Sequence, residues 1–279
     1  MVAWRETISG AVQICFNEIH AKAQLQGSCY VTSITSSTPS VAQWFTQDAN
    51  GSSNISATAV CDAGAKNLVA AGYLQGLLRF PNTALAVDRL QDRGQWLTRS
   101  ESALMDNMHG TRLTSFSSGR YVAKHVQQCL ALTPKPILQN GRLPIWPAGL
   151  VGSISHSKTY AAAVATTSLQ ALGVDIETPG RITEALQPRL FTAKERHRLR
   201  GLPDSAATVA FAAKEAGFKA ISPIVGEYVS FLEAEIDLEW RNNLFTIRYI
   251  GNNKAIEAVH DGVGHWSYVG DEILVIFGF

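Results

Sequence analysis

The chain has 279 residues, of which 46% are hydrophobic and 17% are charged, and its formal net charge at pH 7 is +1. This is the composition of a globular protein with a core, and the near-zero charge excludes an overall basic surface for nucleic acid. No stretch approaches the roughly 20 apolar residues of a membrane span, and the first residues do not form a signal peptide. The four scattered cysteines lack metal-binding spacing. We therefore expect a soluble protein in a reducing cytoplasm.

The N-terminal part of the sequence predicts structure but no function. Apolar residues recur at intervals of three and four between Glu6 and Gln24, which predicts an amphipathic helix. A strand-like run from Cys29 to Ile34 follows, and the Ser-, Thr- and Asn-rich stretch from Thr35 to Asn54 predicts a loop. A second helix is predicted from Ser115 to Leu132.

The middle of the chain predicts strands followed by helices. Three short strands are expected over Val151–Ser155, Tyr160–Ala165 and Ala171–Ile176. A capping box at Thr192–Glu195 predicts the start of a short basic helix, and a long helix is expected from Asp204 to Ile221.

The C-terminal sequence alternates apolar and polar residues, which predicts an antiparallel sheet with its acidic residues in solvent. The predicted strands are Phe231–Trp240, Leu244–Ile250 and Ile273–Phe277, and the acidic residues are Glu233, Glu235, Asp237 and Glu239. Each half of the chain thus combines strands with one long helix, and we place the join between Thr167 and Gln170.

Two carboxylates mark the end of the third middle strand. Asp175 and Glu177 are two residues apart, so the strand period points both side chains to one face. The turn sequence Thr178-Pro179-Gly180 ends the strand at once, and strand ends are places where sites are built. An acidic strand end exposed to solvent is the alternative interpretation.

A second charged pair lies on the predicted long helix. Glu215 and Lys219 are four residues apart and share a helix face, where a solvated ion pair is the alternative. The rest of this helix is apolar on nearly every side, which favours a cleft for its charges. Together with Asp175 and Glu177, this arrangement offers oxygen ligands from two rigid elements, which suits Mg²⁺ that shares its shell with substrate phosphates.

A histidine ends the first middle strand in the sequence Ser-His-Ser. His156, with upstream cations such as Arg120, Lys124 and Arg142, would supply donors to phosphate oxygens, and a structural histidine is the alternative. The sequence contains no GxxxxGK[ST], GxGxxG, HExxH or GxSxG motif.

Three ordered motifs carry a family resemblance. They are Pro144–Pro147 leading to Gly152–Ser157, then Gly173–Glu177, then Phe211–Lys219, with support from Ser118–Arg120 and Arg189–Glu195. Together they resemble the 4′-phosphopantetheinyl transferases, specifically the monomeric surfactin-type and enterobactin-type class. The resemblance is good from residue 111 to 226, loose in the C-terminal strands and hardly detectable in the first ninety residues.

The resemblance implies an α/β (α+β) fold in which two similar subdomains form a pseudo-dimer around coenzyme A. Residues 1–168 would form the subdomain on the adenosine and phosphate side, and residues 169–279 would carry the metal-binding carboxylates. The implied protein is a monomer of the cytoplasm with no nucleic-acid partner and no membrane span.

The implied activity is the Mg²⁺-dependent transfer of 4′-phosphopantetheine from coenzyme A to a serine of an apo acyl or peptidyl carrier protein, as in secondary metabolite biosynthesis. The second product is 3′,5′-ADP. By resemblance, Asp175, Glu177 and Glu215 would bind Mg²⁺, and Asp175, Glu215 and Lys219 would be catalytic, with Glu215 as the candidate base. The residues implied to contact coenzyme A are Arg112, Arg120, Lys124, Arg142, Ser155, His156, Lys214 and Lys219.

Two other functions stay open from the residues. One is a phosphohydrolase that uses the same metal site with water or a small nucleotide as acceptor. The other is a non-catalytic relative that only binds coenzyme A or a carrier, although the presence of all the carboxylates and Lys219 argues against it. The short basic helix is predicted either to bind acidic carrier helices or to be a solvated face. Its cations are Lys194, Arg196, His197, Arg198 and Arg200.

Overall fold

The computed structural model describes residues 80–106, 108–141, 143–226 and 229–279, together with five N-terminal strands. These strands are β1 (Trp4–Glu6), β2 (Val12–Ile14), β3 (Cys29–Val31), β4 (Val41–Gln47) and β5 (Ser53–Cys61). Arg142, a predicted coenzyme A contact, lies outside the described residues. None of the helices in the described part of the chain is both long enough and apolar enough to cross a membrane.

A six-stranded sheet has the order β3-β4-β5-β6-β10-β9. The strands not yet defined are β6 (Thr83–Arg89), β9 (Val151–His156) and β10 (Tyr160–Thr166). Strands β5 and β6 are parallel, and the other neighbours are antiparallel. Strand β10 is buried along its whole length, which explains its continuous run of small apolar residues. Strand β9 forms one edge of the sheet.

The long helix of this half, α2 (Gly110–Cys129), packs on the sheet through Val122 and Val126, which contact alanines of β6 and β10. Before it lies the short helix α1 (Arg99–Ser102), and after it the hairpin of β7 (Leu138–Asn140) and β8 (Leu143–Ile145). Helix α2 begins five residues earlier than the sequence predicts. The serines near the predicted start, Ser117 and Ser118, lie inside the helix, where their hydroxyls accept hydrogen bonds from the backbone of the segment before α1.

The second sheet has five antiparallel strands in the order β11-β15-β14-β13-β12. They are β11 (Leu172–Glu177), β12 (Ala234–Glu239), β13 (Leu244–Tyr249), β14 (Val263–Val269) and β15 (Glu272–Gly278). The long helix α5 (Ala206–Val225) packs across this sheet. A Cβ at Gly173 of β11 would collide with the carbonyl of Ala216, so this glycine lets strand and helix approach closely.

Shorter helices complete the second half. Helices α3 (Gln187–Leu190) and α4 (Ala193–Leu199) precede α5, and the predicted capping box of α4 is confirmed, since Thr192 and Glu195 exchange the expected hydrogen bonds. The 3₁₀ segments of the described chain are Gly94–Trp96, Ala103–Met105, Phe231–Glu233, Trp240–Asn242 and Lys254–Asp261.

The two sheets share a hydrophobic cluster. Leu85 and Tyr160 of the first sheet pack in it with Leu172, Ile176 and Leu274 of the second. The edge strands β9 and β11 also contact each other. The chain crosses from one sheet to the other between β10 and β11.

The mixed α/β class is confirmed, but two N-terminal predictions are wrong. The predicted helix Glu6–Gln24 contains strand β2, which pairs with β1, and the predicted loop Thr35–Asn54 contains strand β4, which pairs on both sides. The first residue of that predicted helix, Glu6, belongs to β1, and the rest of it lies outside the described residues. Pairing with neighbouring strands outweighs local composition at these positions.

One prediction about the acidic residues of the C-terminal sheet is also wrong. Glu235 does not face solvent: it is buried, and it accepts hydrogen bonds from Arg248 and Thr192. Its neighbours in the alternating pattern, Asp237 and Glu239, are exposed as predicted.

Candidate functional site

A cavity of about 330 Å³ lies where β9, β11 and α5 meet. The sequence-predicted groups from β11 and α5 line it together, and so does the Ser-His pair at the end of β9. The lining residues are Ile154, Ser155, His156, Asp175, Glu177, Arg181, Phe211, Glu215 and Lys219. Period-two geometry in the strand and four-residue spacing in the helix therefore bring the predicted charges into one cleft.

Asp175, Lys219 and Ser155 form a hydrogen-bonded triad across the three elements. The Lys219 ammonium donates to Asp175 Oδ1 at 2.6 Å and to the Ser155 hydroxyl at 2.8 Å, and Ser155 donates to the same Oδ1 at 2.8 Å. Asp175 Oδ2 is buried and has no hydrogen-bond partner. The triad binds one oxygen of the Asp175 carboxylate and leaves the other without a hydrogen-bond partner.

Glu177 is held by an arginine that the sequence analysis did not single out. Arg181 Nη1 donates to Glu177 Oε1 at 2.6 Å and to Oε2 at 2.5 Å. The two residues are separated by four positions across the turn after β11, and the guanidinium also lies 5.7 Å from the ring centroid of Phe211. The four-residue spacing of Glu177 and Arg181 was the signal that the sequence offered for this pair. In a helix that spacing brings two side chains together, but in a turn it does not.

Burial raises the pKa of two of these carboxyl groups. For Glu215, burial is the largest cause, opposed by Lys219 and reinforced by Asp175. For Glu177, burial again comes first, with Asp175 adding to it and Arg181 opposing it. Burial in the cleft therefore disfavours the ionised form of both carboxyl groups, and the nearby cations only partly offset this effect.

A second cavity, of about 450 Å³, adjoins the first and shares Ile154 and His156 with it. It extends along α2 to the β7–β8 hairpin. Its lining residues are Met108, Thr111, Arg112, Ser115, Phe116, Gly119, Arg120, Gln139, Pro144, Ile154 and His156. Of the cations predicted to contact coenzyme A, Arg112 and Arg120 thus lie on this cavity, and Arg112 is exposed.

Arg120 differs from Arg112 in its surroundings. It is buried, and its guanidinium donates to the carbonyl oxygens of Ile137 at 2.7 Å and Leu138 at 3.3 Å. Burial lowers the pKa of Arg120 to about 10, and the nearby Glu101 opposes this effect. Arg120 stays charged at neutral pH, but its guanidinium is engaged in anchoring the chain before β7.

Lys214 is also placed differently from the prediction of a coenzyme A contact. Its side chain is 0% exposed, and its ammonium donates to Glu195 Oε2 at 2.8 Å and to the carbonyl oxygens of Leu190 and Phe231 at 2.9 and 2.6 Å. The neighbouring Glu215 lines the cleft, so adjacent residues of α5 point in different directions. Lys214 is a structural residue of the interior.

Lys124 is half-buried on α2, one turn beyond Arg120, and it does not line either of these cavities. The structure thus brings together six of the predicted positions in the first cleft and two more, Arg112 and Arg120, in the second, which shares His156 with the first. It brings Lys214 and Lys124 to neither.

The donor set of the first cleft fits a divalent cation in its chemistry. Carboxylate oxygens are the ligands that Mg²⁺ prefers, Asp175 Oδ2 is a buried oxygen without a partner, and the cavity places three carboxylates beside two basic side chains, Arg181 and Lys219. In the structure, the Glu177 carboxylate is paired with Arg181. The described residues contain no group of three or more His, Cys, Asp or Glu side chains arranged to hold a metal ion.

Carboxylates, a lysine and a histidine around one cleft are typical of sites that handle phosphate with a cation. Residues 100–166 match the family model of the 4′-phosphopantetheinyl transferase N-terminal domain, and residues 171–269 match that of the 4′-phosphopantetheinyl transferase superfamily. These matches agree with the motifs in the sequence.

Curated relatives give the same result. Over 149 residues the chain is 34% identical to enterobactin synthase component D of Escherichia coli (strain K12), covering 50% of this chain and 71% of that protein. It is 33% identical over 147 residues to the 4′-phosphopantetheinyl transferase Svp of Streptomyces mobaraensis, covering 50% and 60%, respectively. It is 40% identical over 111 residues to enterobactin synthase component D of Salmonella typhimurium (strain LT2), covering 38% and 46%.

The chain therefore belongs to the 4′-phosphopantetheinyl transferase superfamily, and the family resemblance is confirmed. The matched regions span between 46 and 71% of the length of these three relatives.

Proposed function

We propose that the protein transfers the 4′-phosphopantetheine group from coenzyme A to a serine of an apo acyl or peptidyl carrier protein, with Mg²⁺, and releases 3′,5′-ADP. One observation carries the proposal. In a chain of this superfamily, Asp175, Glu177, Glu215 and Lys219 line a single cleft together with His156. Phosphoryl transfer chiefly needs positioning and charge stabilisation, which this set supplies.

In the proposed reaction, the carrier serine oxygen attacks the phosphorus that bears the pantetheine arm. A P–O bond forms to the serine, the P–O bond to 3′,5′-ADP breaks, and the serine proton passes to Glu215, directly or through water. Burial raises the pKa of Glu215, which favours its role as base. Lys219, already an ammonium donor in the cleft, stabilises negative charge on the phosphate oxygens.

Asp175, Glu177 and Glu215 would hold the cation. When bound there, Mg²⁺ supplies Lewis-acid stabilisation of phosphate oxygens. The Asp175 oxygen without a partner supports its part in this set. The Ser155–Lys219–Asp175 triad supports a fixed orientation of the carboxylate, so that little reorganisation is needed during the reaction.

Coenzyme A would occupy both cavities, with its pyrophosphate near His156, which lines each of them. Arg112 is exposed on the second cavity and is the stronger candidate for the 3′-phosphate, because the Arg120 guanidinium is already bound to backbone carbonyls. We also propose residues 1–168 and 169–279 as the two subdomains, with the coenzyme between them. The crossing of the chain between β10 and β11 supports this division.

The carrier protein would bind at helix α4. Two of its cations are engaged with strand β12, because Lys194 lies 3.5 Å from Glu235 and Arg198 lies 3.7 Å from Asp237. The exposed His197 and the Arg200 that follows the helix are therefore the better candidates for contacts with acidic carrier helices.

The test is to incubate the protein with coenzyme A, Mg²⁺ and a panel of apo carrier proteins, and to weigh the carriers by mass spectrometry. We expect the mass of one phosphopantetheine to be added to at least one carrier, and chelation of Mg²⁺ to abolish the addition. In Asp175→Asn and Glu215→Gln, kcat/KM should fall by at least about 100-fold. Glu239→Gln, which changes an exposed acid of β12, serves as the matched control and should keep the wild-type rate.

Unmodified carriers across the whole panel would contradict the proposed function. Cleavage of coenzyme A without any carrier present would instead favour a phosphohydrolase. Wild-type rates in both cleft variants would show that the carboxylates are not the metal ligands.

A further inference from the structure

Arg181 is a cation of the cleft to which the proposed reaction gives no role. We propose that Arg181 is a further positioning residue of the site: it competes with the divalent cation for Glu177, and once displaced it contacts the anionic substrate. The inference rests on the proposed role of Glu177 as a metal ligand.

The competition follows from the geometry of the ion pair. One nitrogen of Arg181 lies 2.6 and 2.5 Å from the two carboxylate oxygens of Glu177. A cation bound by Glu177 needs at least one of the same oxygens. The guanidinium and the cation cannot both occupy that position, so the free energy of the ion pair opposes metal binding.

The exposure of the Arg181 side chain allows it to leave this position. The arginine side chain is 58% exposed while the Glu177 side chain is 9% exposed, so the arginine can move into solvent and the carboxylate stays in the cleft. The turn that carries Arg181 contains Gly180 at φ +78°. An ion pair with one exposed partner is weak enough to exchange.

A displaced Arg181 would still lie beside the phosphate site. It lines the same cavity as Lys219, which is proposed to stabilise the phosphate oxygens, and as Glu215, the proposed base. Guanidinium is the cation best suited to bind phosphate oxygens in pairs. An anion that engages Arg181 makes Glu177 available, and a metal that binds Glu177 makes Arg181 available, so the two ligands bind with positive coupling.

The experiment is isothermal titration calorimetry of Mg²⁺ into the full-length protein, with and without 3′,5′-ADP. Without nucleotide, Arg181→Ala should bind Mg²⁺ about two- to tenfold more tightly than wild type, because the competitor is gone. With Mg²⁺ present, the same variant should bind 3′,5′-ADP more weakly. Arg241→Ala removes an exposed arginine of the 3₁₀ segment Trp240–Asn242 and should match wild type in both titrations.

A double-mutant cycle separates direct competition from a general effect of charge. In the Glu177→Gln background, Arg181→Ala should give no further gain in Mg²⁺ affinity. An equal gain in that background would show that the arginine acts through its long-range field, and would overturn the inference. Unchanged or weaker Mg²⁺ binding in Arg181→Ala, or no Mg²⁺ binding by the wild type, would overturn it as well.

These titrations need no carrier protein and no turnover. A wild-type protein that binds Mg²⁺ and shows the predicted coupling, but modifies no carrier, would refute the proposed function and leave the role of Arg181 intact. Circular dichroism should show an unchanged fold for the variant, because the Arg181 side chain is mostly in solvent.

Discussion

At the scale of a single residue, Glu215 shows how the cleft disfavours the ionised form of a buried carboxyl group. Its carboxyl is desolvated on α5 and lies near Asp175, and both effects raise its pKa more than Lys219 lowers it. A carboxyl whose pKa is raised by folding binds its proton more tightly in the native state. Its contribution to stability is therefore complete below its ordinary pKa of 4.5 and is lost as the pH rises through the raised value.

Because folding raises the pKa of Glu215, the effect of Glu215→Gln on stability should depend on pH. The amide cannot ionise, so the variant avoids the loss that the wild type suffers on going towards neutral pH. Relative to wild type, its melting temperature should increase between pH 4 and pH 7 in buffer that contains a chelator. Differential scanning calorimetry across this range measures the difference.

Glu184→Gln provides the control, because Glu184 is an exposed carboxyl on the loop after β11. Its melting curves should follow those of the wild type at every pH. A Glu215→Gln variant that loses stability relative to wild type as the pH rises would mean that pairing with Lys219 outweighs burial.

The sequence could predict the cleft carboxylates because local periodicity determines them. Asp175 and Glu177 alternate on a strand, and Glu215 and Lys219 repeat on a helix, so each pair has a common face whatever the tertiary structure. Arg181 could not be identified in this way, because its contact depends on the conformation of a turn.

At the scale of elements, helix α4 is joined to helix α5 by a buried ion pair. Glu195 accepts from the Lys214 ammonium through Oε2 and from the backbone N–H of Ile236 in β12 through Oε1. Both side chains of the pair are almost completely buried. The carboxylate that caps α4 thus also fixes α4 to the helix that carries Glu215.

A similar arrangement recurs in the first half of the chain. Glu101 closes the capping box of α1 and accepts from the backbone N–H of Ile137 at 2.9 Å, while Arg120 of α2 lies within electrostatic range. In each half, a capping glutamate near a cation of the long helix holds the following segment. This recurrence supports the proposal that the two halves are similar subdomains.

The buried pair predicts a large loss of stability for Lys214→Met. Removal of the lysine leaves the Glu195 charge buried without its partner, which should lower the free energy of unfolding by about 3–5 kcal/mol. The double variant Lys214→Met/Glu195→Gln should lose less than Lys214→Met alone, because the buried charge is removed as well. Urea denaturation measures both.

Lys194→Met is the matched control, since this lysine of α4 has a side chain 52% exposed and a longer ion pair. It should change stability by less than about 1 kcal/mol. A similar loss in the two lysine variants would contradict a special role for the buried pair.

The elements differ in how far the sequence could predict them. Strand β11 and the start of helix α4 were predicted within about one residue, because their signals are local. The burial of Lys214 and Arg120 was not predicted, because each is buried by segments distant in sequence. The sequence analysis also did not predict strand β14. Its residues do not alternate between buried and exposed, because the consecutive residues from Gly264 to Ser267 are all buried.

At the scale of the whole molecule, the two halves are connected by a core and not only by the chain. The cluster between the sheets includes Leu85 and Tyr160 from one side and Leu172 and Leu274 from the other. The Ser155–Asp175 hydrogen bond lies at the same seam and forms part of the cleft. Stability and site geometry therefore depend on the same contact between halves.

This shared core predicts that the halves unfold together. Leu274→Ala truncates a side chain of β15 that is 2% exposed and should lower the free energy of unfolding by about 2–5 kcal/mol. Hydrogen exchange measured by mass spectrometry should show the most protected amides of β10, in the other sheet, accelerating by the same factor as those of β15. Leu232→Ala, at a side chain 43% exposed, should accelerate neither strand. If exchange accelerates in β15 while β10 keeps its wild-type protection, the halves are independent folding units and the cluster does not couple them.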